Sequence, residues 1–390
     1  MNVAILTDSF PPNIDGVSNC AYAYANELHK NSQSKCIVVT PRKPRIKYDY
    51  PFPVYSFRSV GLPYDEYRAG HPFMPRLIKI FKAMEIDILH VHSPFVAMSV
   101  ARELRFFLNL PIVFTQHTKW DYDIACAAPT KLIQKTISRY AHKNITAADE
   151  LWSVSRGAGE YLQSRGLKGE FLVMPNGTDF ERLDPSLVCT KQIDEKHNLP
   201  ANVPVLLFVG RMMWYKNIAL IIESLAALHK QNFDFRMLFV GDGEEIAEIQ
   251  DFVKEKGLSE IVSFAGRIDD RALLRAYYTR SDLFVFASVY DNAPLVVREA
   301  AACFCPPLAI RGSSTAEILD DGITGYLCDE TSESISDTIL SAFKDNKKLK
   351  QISAAAADQL YLPWQKVIER SLERYAIVKQ EYKGKKRTAR

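Results

Sequence analysis

The chain has 390 residues, 47% apolar and 24% charged, with a net charge of +3. That length provides for two domains with a core each, and so small a net charge leaves no electrostatic footprint for nucleic acid. No apolar run approaches the roughly 18 residues a membrane helix needs, and seven scattered cysteines (20, 36, 126, 189, 303, 305, 328) without a Cys-x-x-Cys pair suggest neither a zinc site nor a disulfide framework.

Residues 2–7 read as a buried strand with no cleavable leader, so the expected location is cytoplasmic. The loop after it holds Pro11 and Pro12, which bar regular structure, and Asp15-Gly16, where glycine lets backbone come close to a ligand. Ser18 or Asn19 is suited to the start of the helix that follows. Strands are predicted at 36–41 and 54–57, then an irregular stretch at 58–75 rich in Tyr, Pro and Gly, and a basic amphipathic helix from Pro75. Residues 86–94 form a strand ending in His90 and His92, whose rings share a face. That is metal-compatible, but no carboxylate or cysteine cluster accompanies the pair, so no metal is expected. Another strand ends at Gln116-His117. In the helix at 130–146, Lys131, Lys135, Arg139 and Lys143 make one basic stripe. A solvated face accounts for it, and an anionic bilayer would suit it too. Residues 171–185 close a first domain spanning 1–185.

After a charged linker, a second domain spans 200–355. Its first strand is continuous in apolar residues and leads to Gly210-Arg211 and Lys216-Asn217, two cations suited to a diphosphate. A later strand runs into Gly241-Asp242-Gly243, a turn that brings backbone close to a nucleotide, and another into Gly266-Arg267-Ile268. The strand over 283–287 gives way to a loop with Tyr290, Asp291, Asn292 and Pro294, and then to a helix. Asp291 and Glu299 stand eight positions apart across that junction, the place where an open α/β sheet receives a ligand. A helix at 356–382 carries Trp364, Val367, Ile368, Leu372, Tyr375 and Val378 on one stripe, and 383–390 form a basic tail, either solvated or suited to an anionic membrane surface.

The Asp291-x7-Glu299 pair resembles the Glu-x7-Glu motif of retaining glycosyltransferases of family 4, in the Asp form associated with members resembling diacylglycerol glucosyltransferases. Gly210-Arg211…Lys216, Gly241-Asp242-Gly243, Phe264-x-Gly266, Pro175-Asn176-Gly177-x-Asp179 and His117 match in order, so the resemblance spans essentially the whole chain. Two departures are Asp15-Gly16 for Gly-Gly, and Phe304 for a helix-ending glycine, which suggests local repacking.

The resemblance implies the GT-B fold, an α/β architecture of two doubly wound Rossmann-like domains facing across a cleft, with the last helix crossing back to the first. It implies retaining transfer of a hexosyl unit from a nucleotide diphosphate sugar, UDP-glucose first, to an acceptor hydroxyl. The acceptor would be diacylglycerol or another membrane lipid, placing the protein peripherally on the inner face of the plasma membrane; a soluble or polyprenyl-linked glycan is the alternative, and an epimerase or a non-catalytic nucleotide-binding partner are readings of other classes. The loop at 58–75 would face the acceptor. His117, Arg211, Lys216 and Asp291 would carry catalysis. Asp15, Gly16, Arg211, Lys216, Gly241, Gly243, Arg267, Ile268, Asp291, Asn292, Ala293, Leu295, Val296 and Glu299 would hold the donor, with Glu299 on the ribose. The nucleotide sugar is a substrate, no cofactor or metal is strictly required, and no nucleic acid is a partner.

Overall fold

The computed structural model describes residues 1–13, 15–32, 34–42, 49–57, 59–61, 68–70, 75–121, 124–125, 128 and 130–382. Cys126, the basic tail at 383–390 and most of the loop at 58–75 lie outside the described residues. The chain forms two compact units, Met1–Asn176 with the segment from Trp364 onward, and Gly177–Pro363. The division therefore falls at Gly177 rather than at residue 185. Backbone pairing explains why: Thr178 N–H donates to the Leu362 carbonyl at 2.8 Å, and Phe180, 2% exposed, packs into the second unit's core.

The first unit runs β1 (Val3–Leu6), α1 (Gly16–Lys30), β2 (Cys36–Pro41), β3 (Val54–Phe57), β4 (Ser59–Gly61), β5 (Arg68–Gly70), α2 (Pro75–Met84), β6 (Ile88–Val91), α3 (Val96–Leu108), β7 (Ile112–Gln116), α4 (Lys131–Ile145), β8 (Glu150–Ser153), α5 (Arg156–Ser164) and β9 (Leu172–Val173). Its sheet is parallel, in the order β3-β2-β1-β6-β7-β8-β9. β1, β2, β6 and β7 are buried along their whole length, so their apolar runs do not alternate. Chain order reverses between β1 and β6, which puts the turns after β1, β6 and β7 along one carboxyl edge. Where an irregular stretch was expected, β4 and β5 pair antiparallel, Ser59 opposite Gly70.

The second unit runs α6 (Lys191–His197), β10 (Val205–Val209), α7 (Ile218–Lys230), β11 (Arg236–Val240), α8 (Ile246–Glu255), β12 (Val262–Gly266), α9 (Arg271–Arg280), β13 (Leu283–Phe286), α10 (Leu295–Ala302), β14 (Pro307–Ile310), β15 (Tyr326–Cys328), α11 (Ser332–Lys344) and α12 (Asn346–Gln359). Its parallel sheet is ordered β12-β11-β10-β13-β14-β15, with the reversal between β10 and β13. Just past the C-cap of α10, Phe304 has a φ of +60°, in the left-handed region. Phe304 adopts the conformation of the missing glycine itself, and the Cys305 N–H still reaches the Ala300 carbonyl at 2.9 Å.

The final helix, α13 (Trp364–Glu381), belongs to the first unit. The single helix expected at 356–382 is two, because α12 stops at Gln359 and Pro363 precedes a new start at Trp364. Arg374 grips both oxygens of Glu150 on β8, Ser371 bonds the Tyr24 hydroxyl at 3.3 Å, and Tyr375, fully buried, stacks on Trp152 at 5.1 Å.

Candidate functional site

Two clusters occupy the carboxyl edges of the two sheets. In the second unit, β10 delivers Arg211, exposed, and a short 3-10 turn, Trp214–Lys216, that carries Lys216 inward. Asn217 takes φ +59° and its amide fixes the turn, donating to the Ala287 carbonyl at 3.1 Å and to Glu330 Oε1 at 2.8 Å. Lys216 Nζ then meets Asp291 on the loop after β13, 2.6 Å from Oδ1 and 2.5 Å from Oδ2. These loops flank the strand-order reversal, so the predicted cation and the predicted acid are brought together where such sheets receive ligands. Next in the loop come Asn292, buried, and Ala293, partly buried; Leu295 and Val296 open α10, with Val296 packed on the core.

Glu299 lies in the second turn of α10, 6% exposed, with partners the sequence did not indicate. Its Oε1 accepts from Arg271 Nη2 at 2.9 Å and its Oε2 from the Tyr278 hydroxyl at 3.0 Å; Arg271 also bonds Asp179 and lies 4.1 Å over the Phe180 ring. Burial raises the Glu299 pKa, and the Arg271 guanidinium opposes that rise. Burial pulls Arg271 downward, but the charges of Glu299 and Asp179 outweigh it and leave that pKa raised. Each carboxylate oxygen is engaged once and keeps acceptor capacity for a hydroxyl-bearing ligand. Sequence signals for Arg271 and Tyr278 are faint, a single arginine at a helix start and one of two adjacent tyrosines.

Gly241 and Gly243 serve a contact within the protein. A Cβ on Gly241, where φ is +137°, would sit 1.9 Å from the Gly210 carbonyl oxygen; one on Gly243 would sit 2.4 Å from that of Met212. The loops after β10 and β11 are pressed together and sealed by Met212 N–H to the Asp242 carbonyl at 3.0 Å. Arg267 is exposed and paired with Asp269 at 2.8 Å, while Ile268 packs on the core.

In the first unit, Asp15 is the N-cap of α1, accepting from Ser18 N–H at 2.8 Å and from the Ser9 hydroxyl. The cap is thus Asp15 rather than Ser18 or Asn19. A Cβ on Gly16 would meet nothing within 4 Å. His117 Nε2 bonds His92 Nδ1 at 2.9 Å, their rings stacked with 17° between planes. Burial lowers the His117 pKa to about 3 and holds His90 and His92 well below the usual imidazole value. His90 uses both nitrogens, bonding Thr115 at 2.7 Å and Tyr375 at 2.6 Å. Asp8, just after β1, carries no local sequence signal that marks it. Its Oδ1 accepts from Ala97 N–H at 2.7 Å at the start of α3, and burial pushes its pKa up to about 7.

Comparison with known proteins agrees with this architecture. The family model described as Glycosyltransferase Family 4 matches residues 14–182, and the one described as Glycosyl transferases group 1 matches 190–359. The chain belongs to the family 4 glycosyltransferases, enzymes of GT-B fold. It is 23% identical over 338 residues, 84% of this chain and 75% of the other, to alpha-monoglucosyldiacylglycerol synthase of Streptococcus pneumoniae. It is 24% identical over 398 residues, 97% and 89% of the two chains, to GDP-mannose-dependent alpha-mannosyltransferase of Corynebacterium glutamicum. Among solved structures, Anabaena HepE in complex with UDP superimposes with a TM-score of 0.76 at 19% identity, covering 97% of this chain and 100% of that one. Among the described residues, no helix is long and apolar enough to cross a membrane.

Proposed function

We propose that this glycosyltransferase moves a hexosyl unit, glucose from UDP-glucose, to a membrane-lipid hydroxyl such as that of diacylglycerol, with retention at the anomeric carbon. The observation that carries the donor part is the Lys216–Asp291 pair across the strand-order reversal of the second unit. A diphosphate arriving there would draw the ammonium from the carboxylate, leaving Lys216 and Arg211 to stabilise the departing charge and Asp291 to take hydroxyls of the sugar. Backbone N–H groups of Asn292, Ala293, Leu295 and Val296 are the proposed further donors to the phosphates. Glu299, held by Arg271 and Tyr278, would accept from the ribose hydroxyls. Asp15, Gly16, Gly241, Gly243, Arg267 and Ile268 remain proposed margins of the donor site, and His117 the proposed contact to the hexose. None of these steps calls on a metal or a separate cofactor.

Two things favour a lipid acceptor. One is the set of names carried by relatives: alpha-monoglucosyldiacylglycerol synthase in Streptococcus pneumoniae and, at 22% identity over 93% of this chain, in Acholeplasma laidlawii. The other is α4, where Lys131, Lys135, Arg139 and Lys143 are exposed beside Leu132, 75% exposed, and Tyr140, 45% exposed. Basic and apolar groups on one helix face suit an anionic membrane surface on the cytoplasmic side.

The test is nucleotide release from UDP-, GDP- and ADP-sugars, with and without diacylglycerol in anionic vesicles. UDP release that requires vesicles and yields an α-glycolipid supports the reading. Release indifferent to vesicles removes the lipid acceptor, and a preference for a GDP-sugar removes the donor assignment. In parallel, Glu299→Ala should weaken UDP binding at least tenfold, since each lost hydrogen bond to the charged group is worth about 1.5–3 kcal/mol; unchanged affinity refutes the ribose contact.

A further inference from the structure

The carboxyl edge of the first unit's sheet gathers three donors that no motif groups together. Cys20 comes from α1, His92 from the turn after β6 and His117 from the turn after β7. One ligating atom of each lies within 4.8 Å of those of the other two. We propose that Cys20, His92 and His117 bind one transition-metal ion of the zinc class.

The donor set defines the ion. A thiolate with two imidazoles suits Zn(II), Co(II) or Cu(I) and not the oxygen-seeking Mg(II) or Ca(II). Tetrahedral zinc with ordinary bond lengths sets such donors about 3.3–3.6 Å apart, so the present separations, up to 4.8 Å, must close by up to about 1.5 Å. Both imidazoles are held neutral by burial, the form that ligates. The Cys20 thiol, protonated in its buried setting, would give up its proton to solvent as the metal–sulfur bond forms. Asn176 Oδ1, 3.3 Å from Cys20 Sγ, stands beside the site as a further oxygen donor.

A second observation points to a ligand. His92 Nε2 is buried with no hydrogen-bond partner, a state that buried polar atoms rarely keep. The neighbouring His90 is excluded because Thr115 and Tyr375 occupy both of its nitrogens. No cysteine stands near the His-x-His pair in the sequence; α1 brings Cys20 to it from 72 positions away. The proposed transfer reaction uses His117 alone and leaves Cys20 and His92 unassigned.

The test titrates the full-length, reduced protein with Co(II) and follows its absorption. One equivalent should produce tetrahedral visible bands and a near-ultraviolet thiolate-to-cobalt band, both displaced by Zn(II). The thiolate band should persist in Cys189→Ser, which removes the cysteine that is exposed among the described residues, and vanish in Cys20→Ser. Absence of the band in the wild type, its survival in Cys20→Ser or its loss in Cys189→Ser overturns the proposal. Should Cys20→Ser fail to fold, His92→Gln keeps the thiol and should weaken Co(II) binding by at least about tenfold; unchanged affinity overturns it equally. Bound metal would also engage His117 and slow sugar transfer, a consequence that rests on the role proposed for His117, whereas the spectroscopic outcome does not.

Discussion

Lys216 and Asp291, 75 residues apart, close a two-pronged ion pair in which Nζ lies 2.6 Å from one carboxylate oxygen and 2.5 Å from the other. The lysine side chain is 11% exposed and the aspartate 21%, so neither charge is fully hydrated. Lys216→Met keeps most of the side-chain volume and removes the cation. Transfer kcat/KM should fall about 10²–10³-fold, as for loss of one preorganised charge at a leaving group. Steady-state kinetics checks this, and a loss below threefold would refute the assignment.

Gly241→Ala tests the seam between the loops after β10 and β11. The added Cβ collides with a backbone oxygen, not with a side chain that could turn away. The variant should lose about 3 kcal/mol or more of stability, combining the strained φ with overpacking. Urea unfolding monitored on the second unit reads this directly; a wild-type midpoint would mean that the seam yields freely.

Asp8 gives the first unit a stability that depends on pH. Its folded pKa, about 7, lies above the ordinary carboxyl value of 3.8, so the folded chain keeps a proton that the unfolded chain releases. The resulting stabilisation is complete below about pH 4 and is lost as pH rises to about 7, amounting to about 4 kcal/mol at most. Asp8→Asn retains an acceptor for Ala97 N–H and does not titrate. Unfolding at pH 4.5 and 7.5 should show a smaller decline in Asp8→Asn than in the wild type; parallel declines in the two proteins would sink this account.

Tyr375→Phe deletes the hydroxyl that bonds His90 at 2.6 Å, leaving a buried imidazole nitrogen with one partner fewer. It should cost about 1–3 kcal/mol and leave the Kd for UDP unchanged, because neither group is among the residues proposed to hold the donor and Arg211, Lys216 and Glu299 all lie in the second unit. Calorimetric unfolding and UDP titration of the same sample separate the two effects.

Part of this was legible from residue types, and part only from the family motifs that those residues match. Strands such as Val205–Val209 and Leu283–Phe286 announce themselves as unbroken apolar runs because both faces of a parallel strand are covered. Lys216 and Asp291 were legible because each closely follows such a strand, at a fixed place on the sheet's edge. Arg271, Tyr278 and Cys20 were not: each reaches its partners from the side of a helix, and helix rotation and packing are not written in local spacing. Gly241 was legible as a glycine that brings backbone close to a nucleotide, but not as one whose close neighbour is Gly210. Phe304 shows the converse limit, for its left-handed backbone contradicts the local preference of a residue with a side chain.

The placement of α13 bears on how the chain assembles as it is made. Its side chains Trp364, Val367, Ile368 and Tyr375 are buried in the first unit, yet the whole of Gly177–Pro363 precedes them in the order of synthesis. The second unit has all of its parts before the first is complete and can fold while the chain is still leaving the ribosome. Until the last helix emerges, Tyr24, His90 and Trp152 lack the partners that cover them. A nascent chain halted shortly before Trp364 therefore holds a finished second unit beside an open first one, the form on which a chaperone would act.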